Sequence, residues 1–359
     1  MGSYIVRKLI YGLVVLFGVV SLVFVLFTIL PGDPARMMLG QRADQEAVDA
    51  IRNELGLNQP LVLQYLNYLN DLSPLSVHTK KNTQSSWYYD SEKYSPSIVL
   101  IHLKSVVLVL KYPWLRESFQ TRKKVTSMLA EAFPKTLLLA GVAVGLAFSV
   151  GLLLGFLTVV VDKAWFNQFI LVITSLGMSV PSFFAAILMA WVFGFLLSDF
   201  TGLDMFGSLY EVDDYGTGSK LQLKNLILPA ITLGIRPLAI VTELTRTSLN
   251  EVMGMDFIRT AKAKGLSTSR VMGFHALRNA LNPIVTAVSG WFASLLAGAV
   301  FVEYVFDWKG IGMLIVEALE KYDLPLIMGA VLLIAVILIF INIFVDIIYG
   351  ILDPRIRLA

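Results

Sequence analysis

Long apolar stretches separated by shorter polar ones run along this chain. About 20 apolar residues suffice for a helix to cross roughly 30 Å of hydrocarbon, at about 1.5 Å of rise per residue. Six stretches meet or approach that length, and the pattern therefore predicts an all-α polytopic membrane protein with six transmembrane helices. The predicted spans are residues 9–30, 136–161, 165–197, 226–249, 284–302 and 324–349.

The predicted spans divide the chain into four parts. Residues 1–30 form an N-terminal transmembrane helix, 31–135 an extended extracytoplasmic region, 136–350 a core of five spans with a basic loop at 250–280, and 351–359 a tail. Six crossings place both termini on one side, and the positive-inside rule identifies that side as cytoplasmic. The basic residues that then lie inside are Arg7, Lys8, Arg246, Arg259, Lys262, Lys264, Arg270, Arg278, Arg355 and Arg357.

One apolar stretch of the extracytoplasmic region, residues 97–110 (SIVLIHLKSVVLVL), is short for a span. Lys104 would lie near the middle of a crossing there, at a cost of about 2.5 to 3.5 kcal/mol. Val and Ile are frequent in the stretch, and β-branched side chains favour strands. The pattern therefore predicts a strand or an interfacial segment rather than an additional span.

The second span carries four glycines at positions that suggest close helix packing. Gly141 and Gly145 form one pair at four-residue spacing, and Gly151 and Gly155 form another. Small residues at this spacing let helix backbones approach closely in lipid, where no hydrophobic drive favours association. We interpret them as packing positions of the helix bundle.

Polar and helix-breaking residues mark a candidate translocation path in the core. Pro181 interrupts the third span between Ser179 and Ser182, and carbonyls freed by a proline are tolerated where protein or a water-lined cavity covers them. A simple packing kink explains the same residues equally well. Arg236 and Glu243 lie seven residues apart in the fourth span, hence on nearly the same helix face. They either form a buried pair or line the path.

Composition excludes several kinds of chemistry. Only 15% of the 359 residues are charged, against roughly 25% in soluble domains, and the mean hydropathy is +0.72. The absence of cysteine rules out disulfides, thiolate catalysis and Cys-type metal sites. There is no phosphate-binding G-x-x-x-x-G-K-[ST] loop, and the three histidines lack metal-ligand spacing. We therefore expect no catalytic residue, metal site or bound cofactor, and the small net charge of +3 gives no indication of nucleic-acid binding.

A basic hairpin lies between the fourth and fifth spans. Residues 256–264 have the pattern of a short amphipathic helix that ends at a glycine, and Ser267 can cap the helix that follows. Helix, glycine and helix make a rigid elbow that can dock on a partner, although a basic interfacial helix on anionic lipid has the same pattern. The candidate docking residues are Asp256, Phe257, Ile258, Arg259, Thr260, Ala261, Lys262, Ala263, Lys264 and Gly265.

The segment RTAKAKGLSTSRVMGFHALRNALNP (residues 259–283) resembles the cytoplasmic loop of ABC importer permeases in the dipeptide, oligopeptide and nickel family. Further segments are similar to this family in the same order, and together they cover nearly the whole chain. They begin at residues 5 (IVRKLIYGLVVLFGVVSLVFVLFTILPGDPA), 54 (ELGLNQPLVLQYLNYL), 133 (FPKTLLLA), 179 (SVPSFFAAIL), 244 (LTRTSLNEV), 301 (FVEYVFDWKGIG) and 345 (VDIIYGILDPRIR).

The resemblance implies the type I importer permease fold and a peptide substrate. It also implies partners: a homologous second permease subunit or a second copy, two cytoplasmic ATPases that use ATP and Mg²⁺, an extracytoplasmic substrate-binding protein, and the lipid bilayer of a bacterial or archaeal inner membrane. By analogy the helix at 256–264 is the coupling helix that fits a groove on an ATPase, and Gly265 corresponds to the family's fixed glycine. His275 is expected to be structural.

Two features depart from the family pattern, Glu243 and an insert, and a third differs only from the founding pattern in a way that resembles the peptide branch. Arg259, Thr260 and Ala261 stand where the founding pattern has Glu-Ala-Ala, so no acidic contact is assigned. Glu243 lies where relatives often carry arginine, and residues 72–110 form an insert. The alternatives are a permease for nickel or another small solute, a membrane-anchored scaffold, and a secondary transporter or channel using Arg236, Glu243 or Asp346.

Overall fold

The computed structural model describes residues 2–29, 34–39, 44–54, 57–80, 87–161, 163–212 and 218–352. Most of the predicted tail lies outside the described residues. The described helices are α1 (Gly2–Phe24), α2 (Pro34–Leu39), α3 (Gln45–Glu54), α4 (Leu61–Leu72), α5 (Val125–Val161), α6 (Ala164–Ser179), α7 (Ser182–Trp191), α8 (Ser198–Thr201), α9 (Ile227–Met253), α10 (Asp256–Ala263), α11 (Thr268–Arg270), α12 (Leu277–Gly298), α13 (Val300–Val305), α14 (Ile311–Glu320) and α15 (Leu324–Leu352).

Three π-helical turns extend these helices: Val25–Ile29 after α1, Val192–Leu196 after α7 and Val271–Ala276 between α11 and α12. The described strands are β1 (Leu75–Thr79), β2 (Ser97–His102), β3 (Val106–Lys111), β4 (Tyr210–Val212) and β5 (Ser219–Leu221). The chain forms two compact units. The core unit comprises residues 1–8, 132–314 and 337–359, and the sheet unit comprises residues 9–131 and 315–336.

Four helices in the described part are long and apolar enough to cross a membrane. They cover Val6–Thr28, Val125–Val161, Leu223–Met253 and Leu324–Ile347, and thus coincide with four predicted spans. The predicted third span is a pair of helices, α6 and α7, bent by 109° where Pro181 interrupts it. The predicted fifth span falls on α12, whose 22 residues reach about 33 Å, so a sixth crossing remains a prediction that its length allows.

Helix α5 begins at Val125, earlier than the predicted start at residue 136. Its 37 residues extend for about 55 Å, well beyond the hydrocarbon thickness. The predicted span at 136–161 is therefore the charge-free part of a longer helix, which needs no apolar side chains where it lies outside the bilayer.

The apolar stretch at 97–110 is a hairpin of β2 and β3, which confirms the strand prediction over the additional span. Together with β1 it makes an antiparallel sheet in the order β1-β3-β2. The proposed insert at 72–110 therefore corresponds to this sheet. Its inward face places Ser76, His78, Val107 and Val109 in the interior of the sheet unit.

A buried polar cluster lies next to the sheet. The Asp71 carboxylate accepts hydrogen bonds from the Tyr94 hydroxyl at 3.0 Å and from Arg116 Nε at 3.4 Å. The Lys111 ammonium donates to the Asp71 carbonyl and lies 4.9 Å from the centre of the Tyr94 ring. Burial lowers the pKa of Lys111 to about 8, and the nearby Asp71 carboxylate opposes that shift. The cluster fixes the end of α4 to the sheet.

Glycines in the core unit show which helix surfaces approach each other. A methyl group on Gly151 would lie 2.9 Å from the Leu238 carbonyl oxygen, and one on Gly155 would lie 2.5 Å from that of Thr242. These two glycines therefore let α5 and α9 pack closely, as predicted. Gly141 and Gly145 meet nothing within 4 Å, so the packing interpretation does not extend to them within this chain.

A buried carboxylate ties the turn before α14 to the core. Glu303 is fully buried and accepts a hydrogen bond from the Gly312 amide at 2.7 Å. Two bonds reach α5 from the same turn: the Ile311 amide donates to Thr136 Oγ1 at 2.8 Å, and Trp308 Nε1 donates to the Lys135 carbonyl at 3.1 Å. The segment FVEYVFDWKGIG thus has a structural role.

The first and last long helices meet near the chain ends. Lys8 Nζ lies 2.7 Å from an Asp346 carboxylate oxygen, within the core unit. Lys8 is near the beginning of α1 and Asp346 near the end of α15. The two helix ends are therefore adjacent, which agrees with an even number of crossings.

Substitution of Gly155 by alanine tests the α5–α9 contact. The added methyl group collides with backbone, and overpacking of this kind costs about 1 to 3 kcal/mol. We expect a lower thermal unfolding midpoint for the full chain in detergent. Gly145→Ala on the same helix is the matched control and should leave the midpoint unchanged or raise it slightly. Equal midpoints for the two variants would contradict the contact.

The sheet unit should lose stability as the pH falls from about 6.5 to 4. His78 is 1% exposed, and its Nε2 lies 2.9 Å from Ser76 Oγ. Burial lowers the pKa of His78 to about 4, Lys111 adds to the effect, and Asp71 opposes it. Because an unfolded histidine titrates near 6.5, the unfolded chain binds the proton more readily within this window, whereas above it the stabilisation is fully present.

Hydrogen exchange of the β1 and β3 amides measures this loss. After correction for intrinsic exchange rates, protection should be weaker at pH 5 than at pH 7. The His78→Gln variant should show no such difference in protection between the two pH values. The matched control His102→Gln, at an exposed position on β2, should still show it. Unchanged pH dependence in His78→Gln would show that another group is responsible.

Candidate functional site

The basic hairpin consists of a short helix held against the ends of two longer ones. Ile258 and Ala261 of α10 are 0% and 7% exposed. They belong to a cluster of buried apolar side chains from the end of α9, the π-helical turn and the start of α12, namely Leu249, Val252, Val271, Ala276 and Ala280. Because the two anchors lie three residues apart, they point to one face of the helix. Helix α10 therefore follows any movement of α9 and α12.

The remaining candidate residues of the hairpin face outward. Phe257 is 42% exposed, and the side chains of Asp256 and Arg259 are 94% and 76% exposed. Arg259 Nη1 lies 3.3 Å from Asp256 Oδ1, but a pair this exposed contributes little to stability. The other outward positions are Thr260, Lys262, Ala263, Lys264 and Gly265. The hairpin thus presents a basic surface with one aromatic side chain.

Gly265 ends α10 in the way the sequence predicts. Its φ is +78°, in the left-handed region that favours glycine, and nothing lies within 4 Å of the position that a Cβ would take. Backbone conformation, and not close packing, is therefore what requires glycine here. Ser267 stands at the N-terminal cap position of α11, but its side chain makes no capping hydrogen bond. Its expected hydroxyl cap was wrong; the Ser267 carbonyl instead accepts from the Val271 amide at 3.0 Å.

His275 lies in the π-helical turn of the second arm. Its carbonyl accepts a hydrogen bond from Asn279 Nδ2 at 2.7 Å, and its ring lies 5.4 Å from that of Phe274. The described residues contain no group of His, Asp and Glu side chains suited to holding a metal ion. These contacts agree with a structural role for His275.

The second candidate region is the break between α6 and α7. Ser179 and Pro181 are exposed, and Ser182, which begins α7, is half-buried. Arg236 of α9 donates from Nη2 to the Val180 carbonyl oxygen at 3.4 Å. The guanidinium thus reaches a carbonyl at the break, a contact that sequence reasoning missed because it joins residues 56 positions apart.

Arg236 and Glu243 are both exposed on α9 within this chain. Their positions two helical turns apart place them about 10.5 Å from each other along the axis. No ion pair joins them in the part of the chain that the structure describes, so the first of the two alternatives, a buried pair, is not formed within this chain. The arrangement combines an exposed basic hairpin at one end of α9 with two exposed charges along the same helix.

Two family models match separate parts of this chain. Residues 147–358 match the family described as binding-protein-dependent transport system inner membrane component, and residues 1–88 match the N-terminal model of that system. The di/tripeptide transport system permease protein DppB of Pseudomonas aeruginosa is 33% identical over 372 aligned positions, which cover 99% of each chain. The dipeptide transport system permease protein DppB of Alkalihalophilus pseudofirmus is 31% identical, over 99% of this chain and 100% of its own.

A solved structure of the MetNI methionine ABC transporter in inward-facing conformations shares the fold. One of its chains superposes with a TM-score of 0.50 at 15% identity and covers 64% of this chain and 97% of its own. The sequence matches and the shared fold therefore agree with the resemblance of residues 259–283 to the cytoplasmic loop of ABC importer permeases. The chain belongs to the binding-protein-dependent transport system inner membrane components, the multi-pass permeases of ABC importers.

Proposed function

We propose that this chain is the permease subunit of an ATP-driven importer that carries di- and oligopeptides. Relatives named for dipeptide and di/tripeptide transport match it along 99% of its length and support the peptide substrate over nickel or another small solute. The observation that carries the mechanism is the anchoring of α10, which joins an exposed basic surface to two long helices by Ile258 and Ala261.

In this proposal the basic hairpin transmits the movement of the ATPases to the membrane-spanning helices. Two cytoplasmic ATPases bind ATP and Mg²⁺ and move together, and α10 moves with the ATPase on which it docks. Because Ile258 and Ala261 fix α10 to α9 and α12, the displacement tilts both helices. A homologous permease or a second copy of this chain completes the path, and a substrate-binding protein delivers peptide on the extracytoplasmic side. The basic hairpin and both termini then face the cytoplasm of a bacterial or archaeal cell.

The break at Pro181 and the charges of α9 line the path in this proposal. A charge that faces lipid in a span costs about 2.5 to 3.5 kcal/mol, so the exposed Arg236 and Glu243 are better placed against water. Ser179, Pro181 and Ser182 belong to the same wall, since Arg236 contacts Val180 between them. A gradient-driven transporter is less favoured, because Asp346 pairs with Lys8 and is already neutralised.

Substitution of Gly265 should uncouple ATP hydrolysis from uptake. A side chain at φ +78° costs about 1 to 2 kcal/mol, and proline cannot adopt a positive φ at all. We expect Gly265→Ala to reduce peptide uptake about tenfold and Gly265→Pro to abolish it, while ATPase activity of the reconstituted complex persists.

Two variants control for general damage to the hairpin. Gly265→Asn should retain most of the uptake, because asparagine tolerates the left-handed region. Gly273→Ala, in the open π-helical turn, should transport normally. Normal uptake by Gly265→Pro would overturn the docking role, as would loss of uptake by Gly273→Ala to the same extent.

Thiol labelling tests the path, because the chain has no cysteine of its own. Arg236→Cys, Glu243→Cys and Ser182→Cys should react with a membrane-impermeant methanethiosulfonate in the assembled importer, at rates that change when ATP is trapped. Val241→Cys on α9 is the control, since Val241 is 1% exposed and should stay unreactive. Reaction at position 236 no faster than at position 241 would contradict a water-lined face.

A further inference from the structure

The sheet unit contains a cavity of about 870 Å³, in the size range of ligand sites. It lies between the end of α1, helix α4, the segments at 90–93 and 114–124, and the start of α15. None of its lining residues belongs to the basic hairpin or to the Pro181 break, and neither the family match nor the transport proposal gives the cavity a role.

The buried part of the lining is largely aromatic and apolar. Phe24, Tyr68, Trp114 and Met328 are each between 4% and 8% exposed. The Tyr68 hydroxyl is buried without a hydrogen-bond partner among the described residues. Side-chain amides of Gln59, Gln64 and Asn67 line the wall as well, and amides supply both donors and acceptors for peptide groups.

Cations in the lining are held in place by aromatic rings. Arg116 lies 5.5 Å from the centre of the Tyr68 ring, and Lys124 lies 5.5 Å from that of Trp114. Lys93 lies 4.9 Å from the centre of the Tyr94 ring. A cation over a ring keeps its full charge, so Lys93 and Lys124 can each attract a carboxylate.

Carboxylates share the lining with these cations. The charged residues of the lining comprise four cations and four carboxylates: Lys93, Arg116, Arg122, Lys124, Asp71, Asp90, Glu92 and Glu117. Glu92 and Glu117 are exposed and form no ion pair within the described ranges of the chain. Asp71 and Arg116 pair with each other, but Lys93 and Lys124 form no ion pair among the described residues either. Unpaired charges of both signs suit a ligand that carries both signs itself.

We propose that this cavity is a binding site for short zwitterionic peptides. The peptide carboxylate binds at Lys124 and Lys93, its ammonium group binds at Glu92, and an apolar side chain enters the aromatic interior. The choice of peptide rests on the proposed function, but the site shares no residue with the proposed translocation path. A phospholipid also has an apolar part, but its acyl chains cannot form hydrogen bonds with the side-chain amides of the lining.

Equilibrium binding to the full chain in lipid nanodiscs, without binding protein, tests the site. The probe is radiolabelled trialanine, compared with its N-acetylated and C-amidated forms. Wild type should bind trialanine at least about fivefold more tightly than either blocked form. The Lys124→Gln variant should bind trialanine and its C-amidated form equally well. The Glu92→Gln variant should bind trialanine and its N-acetylated form equally well. Lys123→Gln, a neighbour outside the lining, is the matched control and should bind like wild type.

Three results would overturn the proposal: no trialanine binding, equal binding of blocked and free peptides, or a copurified phospholipid that peptide does not displace. Uptake with the complete importer separates this failure from failure of the transport proposal. If wild-type importer takes up peptide but the isolated chain binds none, the cavity site is wrong and the permease function stands. If the importer takes up no peptide at all, the proposed function fails, whereas binding to the isolated chain still tests the cavity.

Discussion

The packing of Ile258 and Ala261 is the interaction on which the structure of the basic hairpin depends. A helix of eight residues is not stable by itself in water, because nucleation is costly and each added hydrogen bond contributes little. Helix α10 is ordered because these two side chains are buried against the ends of α9 and α12. The contact therefore both folds the helix and fixes it mechanically, and it leaves the outward face free for a partner.

A second constraint acts along the spans, where lipid offers backbone groups no hydrogen bonds. Helices satisfy this requirement internally, but Pro181 prevents the regular ladder from continuing between α6 and α7. Arg236 supplies a donor to the Val180 carbonyl at that point. The same guanidinium remains exposed, so one residue serves both the stability of the break and the polarity of its surroundings.

Local signals in the sequence were sufficient for several features and insufficient for others. The lengths of the apolar stretches located four of the spans. Gly265 and Pro181 determine the conformation of their own backbone, and β-branched residues favoured strands where β2 and β3 lie. The bonds of Glu303, in contrast, depend on residues brought together by the fold, so no local pattern reveals them. The four glycines of α5 also look alike in sequence, although only Gly151 and Gly155 meet α9, because neighbouring helices decide which spacing is used.

In the proposed complex, the composition of the α10 surface limits how it can recognise an ATPase. Its charges lie in water, where screening weakens attraction beyond about 10 Å and exposed pairs contribute little. Charge alone would then give fast association but low affinity. Phe257 supplies the binding free energy that the charges do not. It is 42% exposed in this chain, and an aromatic side chain that enters a pocket contributes a large buried area. In the proposed complex the basic residues thus orient the encounter, and burial of Phe257 transmits the force through the adjacent anchor, Ile258.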